Sequence, residues 1–417
     1  VVLGVLLASA VMAGTVIFFT ALREIALQDA LEKIDEHDAD IIMQSEKGPT
    51  NIEEYEKISR RVDSVVDGLI SPYISGVETA GKSATFFLTL TGDELMAGKD
   101  NRRSFVAYVS HLESRIQIVG GVSVSTPTAK TTAEGIPIFE AIAPLEEATA
   151  LGMGTGSRVS LVPYWDDRIP HMIVEIVGVF ERIDHSDPSW ALTDRVLMAS
   201  TGEGFATLPL YMDELVYMET VGVAFNDLVS TYAWRLDTDL KKINASNATN
   251  AKVNIDHARR LLGSELNRYI MRTELDDSLK EYDTRLLFTK LQMFVVLVMI
   301  ALVVLYYVAT ISSLVVEQRR FEVSQLRSRG ASSSQILAVF ILEGGTMAVI
   351  SSFLGPLLAA VAIGLLGFTP SFTDLGEGGF LTVRITKTAY VMSALGGLLS
   401  FVALMIPAFQ ASRISVT

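Results

Sequence analysis

The chain has 417 residues, 49% of them hydrophobic, and its 34 Lys and Arg residues are outnumbered by 48 Asp and Glu residues, for a formal net charge of −14. It contains no cysteine, which excludes disulfides, thiolate metal sites and cysteine nucleophiles. The acidic balance argues against nucleic acid as a partner, because nucleic-acid-binding domains carry basic patches. Composition does not show whether the apolar residues are spread evenly or gathered into spans, so the positions of the apolar runs decide the class of protein.

Four apolar runs follow one another along the chain. Residues 1–20 and 291–316 carry no charge, and residues 389–409 are also uncharged. Residues 336–366 carry only Glu343. About 20 apolar helical residues, rising about 1.5 Å each, cross a hydrocarbon core about 30 Å thick. We therefore predict four membrane-spanning helices, over 1–22, 286–316, 336–366 and 389–409.

The first run differs from a secretory signal peptide. It has no basic start, it is long, and it does not begin with methionine, whereas a signal peptide has a basic start and a short apolar core. We interpret it as a true span in a chain that begins inside a longer gene product. A retained signal anchor is the alternative.

The segment between the second and third predicted spans, residues 317–335, carries four arginines. Short loops rich in Lys and Arg stay in the cytoplasm, so residues 317–335 and the tail 410–417 are predicted to lie inside. Residues 23–285 and the loop 367–388 are then outside. The predicted fold is a membrane α-helical bundle of one plus three spans in the plasma or inner membrane. A large extracytoplasmic α+β domain, which we expect to form two lobes, is inserted between spans one and two.

Helical patterns flank and enter the predicted outer domain. Residues 22–45 and 51–70 carry apolar side chains near helical spacing, which predicts two helices. The first of these can extend the first span outward. Residues 239–269 are polar and helical in pattern, and residues 274–289 are predicted to lead into the second span.

Strand patterns occupy the middle of the domain. Segments rich in β-branched and aromatic residues, bounded by Gly and Asn or Asp turns, predict strands over 85–91, 104–110 and 116–124. A glycine-rich turn opens a further strand at 151–162, and another follows at 171–180, where Gly178 suits a bulge or tight bend. This last pair looks like the start of a small β-barrel or sandwich lobe.

Residues 76–83 read Gly-Val-Glu-Thr-Ala-Gly-Lys-Ser and satisfy the Walker A pattern letter for letter. That pattern binds phosphate only when a strand precedes it and a helix begins at Lys-Ser, so that backbone amides surround the phosphates. Here a helical pattern precedes it and a strand pattern follows, on the predicted outer side where ATP is scarce. We interpret the segment as a turn and predict that this chain does not hydrolyse ATP.

The remaining motifs are weak. The glycines of residues 152–156 resemble part of a dinucleotide fingerprint but open a strand, which favours a turn. Residues 35–38, Asp-Glu-His-Asp, are more typical of a solvated helix face than of a metal site. Asn244 and Asn247 begin glycosylation triplets, which also arise by chance. No nucleophile–base constellation is apparent, and we predict no catalytic, cofactor-binding or metal site in this chain.

Small residues spaced four apart in the third and fourth spans predict close helix packing in lipid, and Pro356 predicts a kink. The predicted packing residues are Gly355, Pro356, Ala359, Gly364, Ser393 and Gly397. Glu343 is the ionisable residue well inside an apolar run, and such residues are functional candidates. It lies two turns past Gln335, near the predicted cytoplasmic interface, so an ion pathway and a structural or partner-facing role both stay open.

The cytoplasmic segment carries the most specific signal. It contains Arg-Arg-Phe-Glu at 319–322 and Leu-Arg-Ser-Arg-Gly-Ala-Ser at 326–332, with Phe-Ile-Leu-Glu at 340–343. It closely resembles the loop of FtsX/MacB-type ABC transporter permeases, in which a short helix lies along the membrane and docks into the ATPase subunit. An amphipathic helix suits such a position, Gly330 can end it and Ser332 to Ser334 can cap the third span. The coupling residues implied by the resemblance are Arg319, Arg320, Glu322, Leu326, Arg327, Arg329 and Gly330.

Two further stretches support the resemblance. Residues 178–190 look like the strand and acidic turn of the family's outer domain, and residues 407–413 look like the exit from its last span. With the one-plus-three layout, the resemblance covers essentially the whole chain. Members usually have a cytoplasmic stretch before the first span and a longer tail, so we suspect a fragment or one half of a longer, duplicated permease.

The resemblance implies a permease subunit that transmits ATPase-driven motion to its outer domain, for export or extraction of a lipid, lipoprotein or peptide. ATP and Mg²⁺ would be held by a separate cytoplasmic ABC ATPase, with no cofactor in this chain, and a second copy or second half would complete the complex in the lipid membrane. One alternative is a non-transporting regulator that activates an extracellular cell-wall hydrolase. A sensory receptor is a weaker alternative, because the chain offers 19 loop residues, 317–335, where a receptor has a signalling domain.

Overall fold

The computed structural model describes residues 2–35, 38–94, 97–99, 101–124, 130–164, 171–198, 204–225, 228–318, 325, 328–369, 379–381 and 383–413. The chain divides into two compact units, which are described separately. The helix unit comprises Val1–Glu32 and Lys280–Thr417, and the sheet unit comprises Lys33–Leu279.

Four long helices build the helix unit. Numbered in chain order, they are α1 (Val2–Leu31), α6 (Leu275–Gln318), α7 (Ser333–Leu366) and α8 (Lys387–Arg413). By length and composition, all four are able to cross a membrane, as the four apolar runs predict. All four extend beyond the predicted spans at one end or both, and two do so by several turns: α1 continues to Leu31, and α6 already begins at Leu275.

Helices α1, α7 and α8 pack around a shared apolar cluster. Its buried members are Ala13, Ile17, Ala359, Ile363 and Ala389. Helix α6 joins the bundle where Val308 packs with Ala8 and Ala403. Alanine dominates both clusters, and small side chains allow helix backbones to approach closely in lipid, where dispersion contacts rather than the hydrophobic effect hold helices together.

The strands of the sheet unit, numbered in chain order, are β1 (Ile41–Pro49), β2 (Ile74–Ser83), β3 (Phe86–Leu90), β4 (Arg102–Val109), β5 (Ile116–Gly121), β6 (Lys130–Thr131), β7 (Pro137–Pro144), β8 (Arg158–Val162), β9 (Met172–Arg182), β10 (Ala206–Tyr211), β11 (Val229–Thr238) and β12 (Ile270–Arg272). The accompanying helices are α2 (Ile52–Val65), α3 (Leu145–Ala150), α4 (Glu214–Ala224) and α5 (Ala248–Glu265). All twelve described strands belong to one sheet.

Six of these strands close into a ring, here called the barrel. They pair in the order β10-β7-β9-β8-β3-β4, and β4 pairs in parallel with β10 to close it. The closing ladder runs from Ala206 opposite Arg102 to Tyr211 opposite Ala107. Because an eight-stranded or smaller barrel is filled by its own side chains, residues such as Phe105 are fully buried. The predicted barrel or sandwich lobe is confirmed as a barrel.

The other main strands form an antiparallel sheet, here called the open part, in the order β2-β11-β1-β12. It joins the barrel where β2 pairs with β4 over three residue pairs, from Ala80 opposite Val109 to Lys82 opposite Ala107. The barrel and the open part belong to the same compact unit, and backbone hydrogen bonds run through their junction. The expected division of the domain into two lobes stays a prediction.

The predicted helix over 22–45 is wrong beyond Leu31. Residues Ile41–Pro49 form β1, which lies between β11 and β12, and Ile41 and Met43 are buried there. Pairing with distant strands overrides the local helical spacing, since strand preference depends on burial and neighbours. The helix predicted over 51–70 is confirmed: Asn51 caps α2 by accepting a hydrogen bond from the Glu53 amide at 2.8 Å.

The predicted strands over 85–91, 104–110 and 116–124 are confirmed as β3, β4 and β5. Gly178 lies in β9, at a shift of register in which Ile142 pairs with Gly178 while Ala141 pairs with Ile176. The Val122 carbonyl approaches Gly178 so closely that no Cβ atom fits. The bulge expected at this glycine is therefore present.

Candidate functional site

Most of the predicted coupling segment lies outside the residues that the structure describes: Arg319, Arg320, Glu322, Leu326 and Arg327. The end of the segment is described. The Arg329 amide donates to the Gln325 carbonyl at 3.2 Å, and Gly330 has a φ of +92°, a left-handed conformation that glycine adopts without strain. The docking role of these seven residues stays a prediction.

A capping box follows immediately. The Ser332 side chain accepts a hydrogen bond from the Gln335 amide at 3.3 Å, and Gln335 Oε1 accepts one from the Ser332 amide at 3.0 Å. These bonds satisfy amides that the first turn of α7 leaves without helical partners. Gly330 and Ser332 therefore separate the loop sharply from α7. Glu343 is half-buried further along α7, and its role also stays a prediction.

The predicted packing glycines lie at close helix crossings. A Cβ atom at Gly355 of α7 would stand 2.6 Å from Ser393 Oγ of α8 and 2.9 Å from the Ser9 carbonyl carbon of α1. At Gly397 of α8, a Cβ atom would stand 2.7 Å from Ser352 Oγ of α7. Any larger residue at these positions would separate the helices, so three helices share one contact built on glycine and serine.

The other predicted packing residues lie along the same helices. Pro356 and Ala359 are buried in α7, and the Phe380 ring closes over Gly364. A kink at Pro356 stays a prediction. Sequence reasoning missed Gly396, where a Cβ atom would stand 3.0 Å from the Ala8 carbonyl oxygen. It also missed Ser9, although Ser9 and Ala13 are four apart in α1, the same small-residue spacing that marks the third and fourth spans.

We expected the Walker-like segment Gly76–Ser83 to be a turn, but it lies within strand β2. Its Lys82 is buried, donates from Nζ to the Leu197 carbonyl at 2.7 Å, and lies 4.5 Å from the centre of the Phe105 ring. Burial lowers the pKa of Lys82 to about 8. An extended strand cannot gather consecutive amides around a phosphate, so this segment is no phosphate loop.

Within the described part of the chain, no group of three or more His, Asp or Glu side chains is placed to hold a metal ion. The acidic segment 35–38 is described only at its ends. There the Asp38 carboxylate binds Arg195 Nη1 at 2.9 Å. The expectation that this chain holds no metal or cofactor stays a prediction.

Sequence reasoning missed a run of alternating charges across the sheet unit, here called the ion-pair chain: Asp40, Arg235, Glu78, Arg115 and Asp187. Arg235 Nε donates to Asp40 Oδ2 at 2.7 Å, and Arg235 Nη1 donates to Glu78 Oε2 at 3.2 Å. Arg115 binds the other oxygen of Glu78 and lies 3.5 Å from Asp187 Oδ2. Each positive group therefore lies between two carboxylates.

Burial affects the pKa values of the carboxyl groups in the ion-pair chain. Only 6% of the Arg235 side chain and 3% of the Asp40 side chain are exposed. Burial raises the pKa of Asp40, while the Thr238 amide and the Arg235 guanidinium act to lower it. Burial also opposes ionisation of Asp187, but hydrogen bonds from Ser189 and the charge of Arg115 outweigh it and lower its pKa. The only sequence signal was Arg235 itself, a charge in the apolar run Ala-Trp-Arg-Leu.

The acidic turn after β9 has a defined structure. Trp190 Nε1 donates to the Asp184 carbonyl at 2.8 Å, and the Arg182 guanidinium lies 4.2 Å from the centre of the Trp190 ring. Arg182 also forms two hydrogen bonds with Asp194, at 2.9 and 2.7 Å. Within this turn the Ser189 amide donates to Asp187 Oδ1 at 2.9 Å, which holds the Asp187 carboxylate beside Arg115.

Comparison with known proteins relates part of the chain to a family. Residues 294–416 match the family described as FtsX-like permease C-terminal. The match begins inside α6, includes the arginine-rich loop and extends past α8, but it does not include α1 or the sheet unit. No curated protein matches the chain.

Proposed function

We propose that this chain, whose residues 294–416 match the FtsX-like permease C-terminal family, is the non-catalytic membrane subunit of an ABC transporter of the FtsX/MacB type. In this proposal, a separate ATPase binds the loop at 319–330 and supplies ATP and Mg²⁺. The chain transmits the resulting motion to the sheet unit outside the membrane. Its cargo is a lipid, a lipoprotein or a peptide that is exported or extracted.

The observation that carries this proposal is the length of α6. This helix runs unbroken for 44 residues, from Leu275 at the edge of the sheet unit to Gln318 beside the arginine-rich loop. At about 1.5 Å per residue it is about 66 Å long, roughly twice the thickness of a hydrocarbon core. A continuous helix is stiff, so a displacement of the loop at one end moves the other end as well.

The helices that continue from the sheet unit are here called its stems. The first stem is α6, and the second is α1. It has 30 residues, about 45 Å in length, and the chain enters β1 ten residues after it ends. Both ends of the sheet unit therefore continue into helices that are long enough to pass through the membrane and beyond it. A second copy of the chain, or a second half, would bring a second pair of stems to the ATPase.

The loop suits an ATPase partner by its charge. Arg319, Arg320 and Arg327 lie within nine residues, and guanidinium groups form strong, directed bonds with carboxylates on a partner. Among the described residues, no contact favours the hydrolase-regulator or receptor alternatives over this function.

Charge reversal of the loop tests the proposal. The variant Arg320→Glu/Arg327→Glu should lose co-purification with the ATPase, and the ATPase should lose stimulation by this chain. The matched control is Arg60→Glu/Arg268→Glu, which makes the same charge change at exposed positions of the sheet unit and should leave both properties intact. Unchanged co-purification and stimulation in the loop variant would refute the docking assignment.

The orientation has a separate test, which the absence of cysteine makes clean. A membrane-impermeant thiol reagent applied to intact cells should label Lys57→Cys in the sheet unit but not Ser328→Cys in the loop. Both positions are exposed, so a difference in labelling reports the side of the membrane. External labelling of position 328 would overturn the orientation.

A further inference from the structure

The barrel is joined to the open part of the sheet through the pairing of β4 with β2. The stems connect to the open part, because the chain enters at β1 and leaves after β12. The barrel strands all fall between β2 and β11 in the sequence, so the barrel is an insertion. Its strand ladder to the open part covers three residue pairs between β2 and β4, and one further backbone hydrogen bond follows, from the Ser110 amide to the Thr79 carbonyl at 2.8 Å.

A three-pair ladder alone permits twisting, because sheets vary widely in the angle between neighbouring strands. The ion-pair chain lies at one end of this ladder. Glu78 precedes the paired residues of β2 and lies opposite Arg235 on β11. Arg115 and Asp187 belong to the barrel side, where the Ile183 amide after β9 donates to the Arg115 carbonyl at 3.0 Å.

Glu78 divides its two carboxylate oxygens between the parts. Oε2 accepts from Arg235 of the open part at 3.2 Å. Oε1 accepts from Arg115 and, at 3.0 Å, from the Ser189 hydroxyl, both on the barrel side. A guanidinium is planar and a carboxylate binds it in a restricted direction, so these bonds restrict the angle between the two parts as well as their separation.

The Asp40 end of the ion-pair chain is also held by further hydrogen bonds. Asp40 Oδ1 accepts from the Thr238 amide at 3.0 Å, while its Oδ2 receives the Arg235 guanidinium. Two residues earlier, the Asp38 carbonyl accepts from the Glu274 amide at 3.1 Å, beside the start of α6. The brace is therefore anchored where the sheet unit continues into its stems.

We propose that the ion-pair chain is a brace, centred on Glu78, that holds the barrel at a fixed angle on the stem-bearing open part. Displacement of the stems then moves the barrel as one body. The brace itself follows from these contacts, whereas its use in transmission rests on the proposed function. Glu78 acts here as a positioning residue.

Spin labels on the full-length chain in detergent micelles test the brace. The chain has no cysteine, so labels attach only at Leu90→Cys on β3 of the barrel and at Val253→Cys on α5, which lies in the sequence between β11 and β12 of the open part; both positions are exposed. Pulsed electron resonance should show one narrow distance distribution. In Glu78→Ala the distribution should become at least twice as wide, with the β-sheet circular dichroism retained.

Two further variants make the result decisive. Glu175→Ala breaks an ion pair with Arg158 that lies entirely within the barrel, so its distribution should stay narrow. Arg115→Met cuts the brace on the barrel side and leaves the Arg235–Asp40 pair intact, so it decides the question if Glu78→Ala does not fold. A distribution as narrow as that of the parent chain in the folded brace variants overturns the proposal. Because no ATPase is present, this result does not depend on the docking experiment.

Discussion

Gly14 of α1 and Ala359 of α7 face each other so closely that a Cβ atom on residue 14 would stand 3.5 Å from the Ala359 Cβ atom. Disulfides form between residues whose Cβ atoms are about 3.5–4.5 Å apart. Gly14→Cys/Ala359→Cys should therefore oxidise to an intramolecular disulfide in the membrane, measured as loss of labelling by a maleimide-linked polymer. Gly4→Cys/Ala359→Cys is the control, because nothing lies within 4 Å of a Cβ atom at Gly4. Full labelling of the oxidised first pair would contradict the helix crossing.

Two glycines of α7 should respond differently to a single methyl group. Gly355→Ala places Cβ 2.9 Å from the backbone of Ser9, which cannot rotate away, whereas Gly345→Ala meets nothing within 4 Å. Overpacking of this kind costs about 1–3 kcal/mol, so Gly355→Ala should lower the thermal midpoint of the full chain in detergent. Gly345→Ala should leave it unchanged or raise it slightly. Equal midpoints for both variants would show that the three-helix contact is looser than the structure has it.

Lys82 should make stability depend on alkaline pH. Burial lowers its pKa to about 8 from 10.5, so between these values the unfolded chain binds more protons than the folded chain. The contribution of Lys82 to the unfolding free energy should therefore rise with pH across this window, by roughly 3 kcal/mol in total. Buried tyrosines such as Tyr55 and Tyr232, whose pKa values burial raises, act in the opposite direction as the unfolded chain approaches their usual pKa of 10.0, so the Lys82 contribution is measured as the difference from Lys82→Met. Lys82→Met should remove this rise, and exposed Lys57→Met should retain it, as measured by urea unfolding of the sheet unit's circular dichroism in the full chain. A rise that survives in Lys82→Met belongs to another group.

Two buried tyrosines should differ in their cost of substitution. Tyr108 donates to Tyr55 at 2.9 Å, and Tyr55 donates to Glu214 at 2.8 Å. Tyr55→Phe leaves the buried Tyr108 hydroxyl without its acceptor and Glu214 without this donor, which should cost about 1–3 kcal/mol. Tyr108→Phe removes only the first bond and should cost less.

A double-mutant cycle on these tyrosines checks the order of the bonds. Tyr55→Phe leaves the Tyr108 hydroxyl without its acceptor, and Tyr108→Phe removes that hydroxyl. The double variant Tyr55→Phe/Tyr108→Phe should therefore cost less than the sum of the two single changes. Denaturant unfolding of the full chain measures all three variants. Strict additivity would indicate that the two hydroxyls do not interact.

The four long helices could be predicted from the sequence because their signal is local. An uncharged stretch of about 20 residues satisfies a requirement set by the thickness of the bilayer, whatever the rest of the chain does. The same holds for the Asn51 cap of α2 and the Ser332 cap of α7, since each depends on a few neighbouring residues. Gly355 and Gly397 could be singled out by their spacing, although the partners that close on them could not.

The predictions failed where a distant segment decided the conformation. Residues 41–45 have helical spacing but become part of β1, because β11 and β12 offer backbone partners on both sides. Gly76–Ser83 matches a phosphate-loop pattern but becomes the strand between β11 and β4. In both segments, hydrogen bonds to strands far along the chain outweigh the local preference.

The sequence by itself determined that this chain has four apolar helices, a large domain between the first two, and an arginine-rich loop like that of the FtsX-like permeases. These properties depend on residue type and on spacing within short windows. Only the tertiary structure decided that the domain is a barrel inserted into an open sheet, and that Glu78 joins them. Glu78 and Arg235 are 157 positions apart, and no local pattern encodes that pairing, because it exists only once β2 and β11 have formed a ladder.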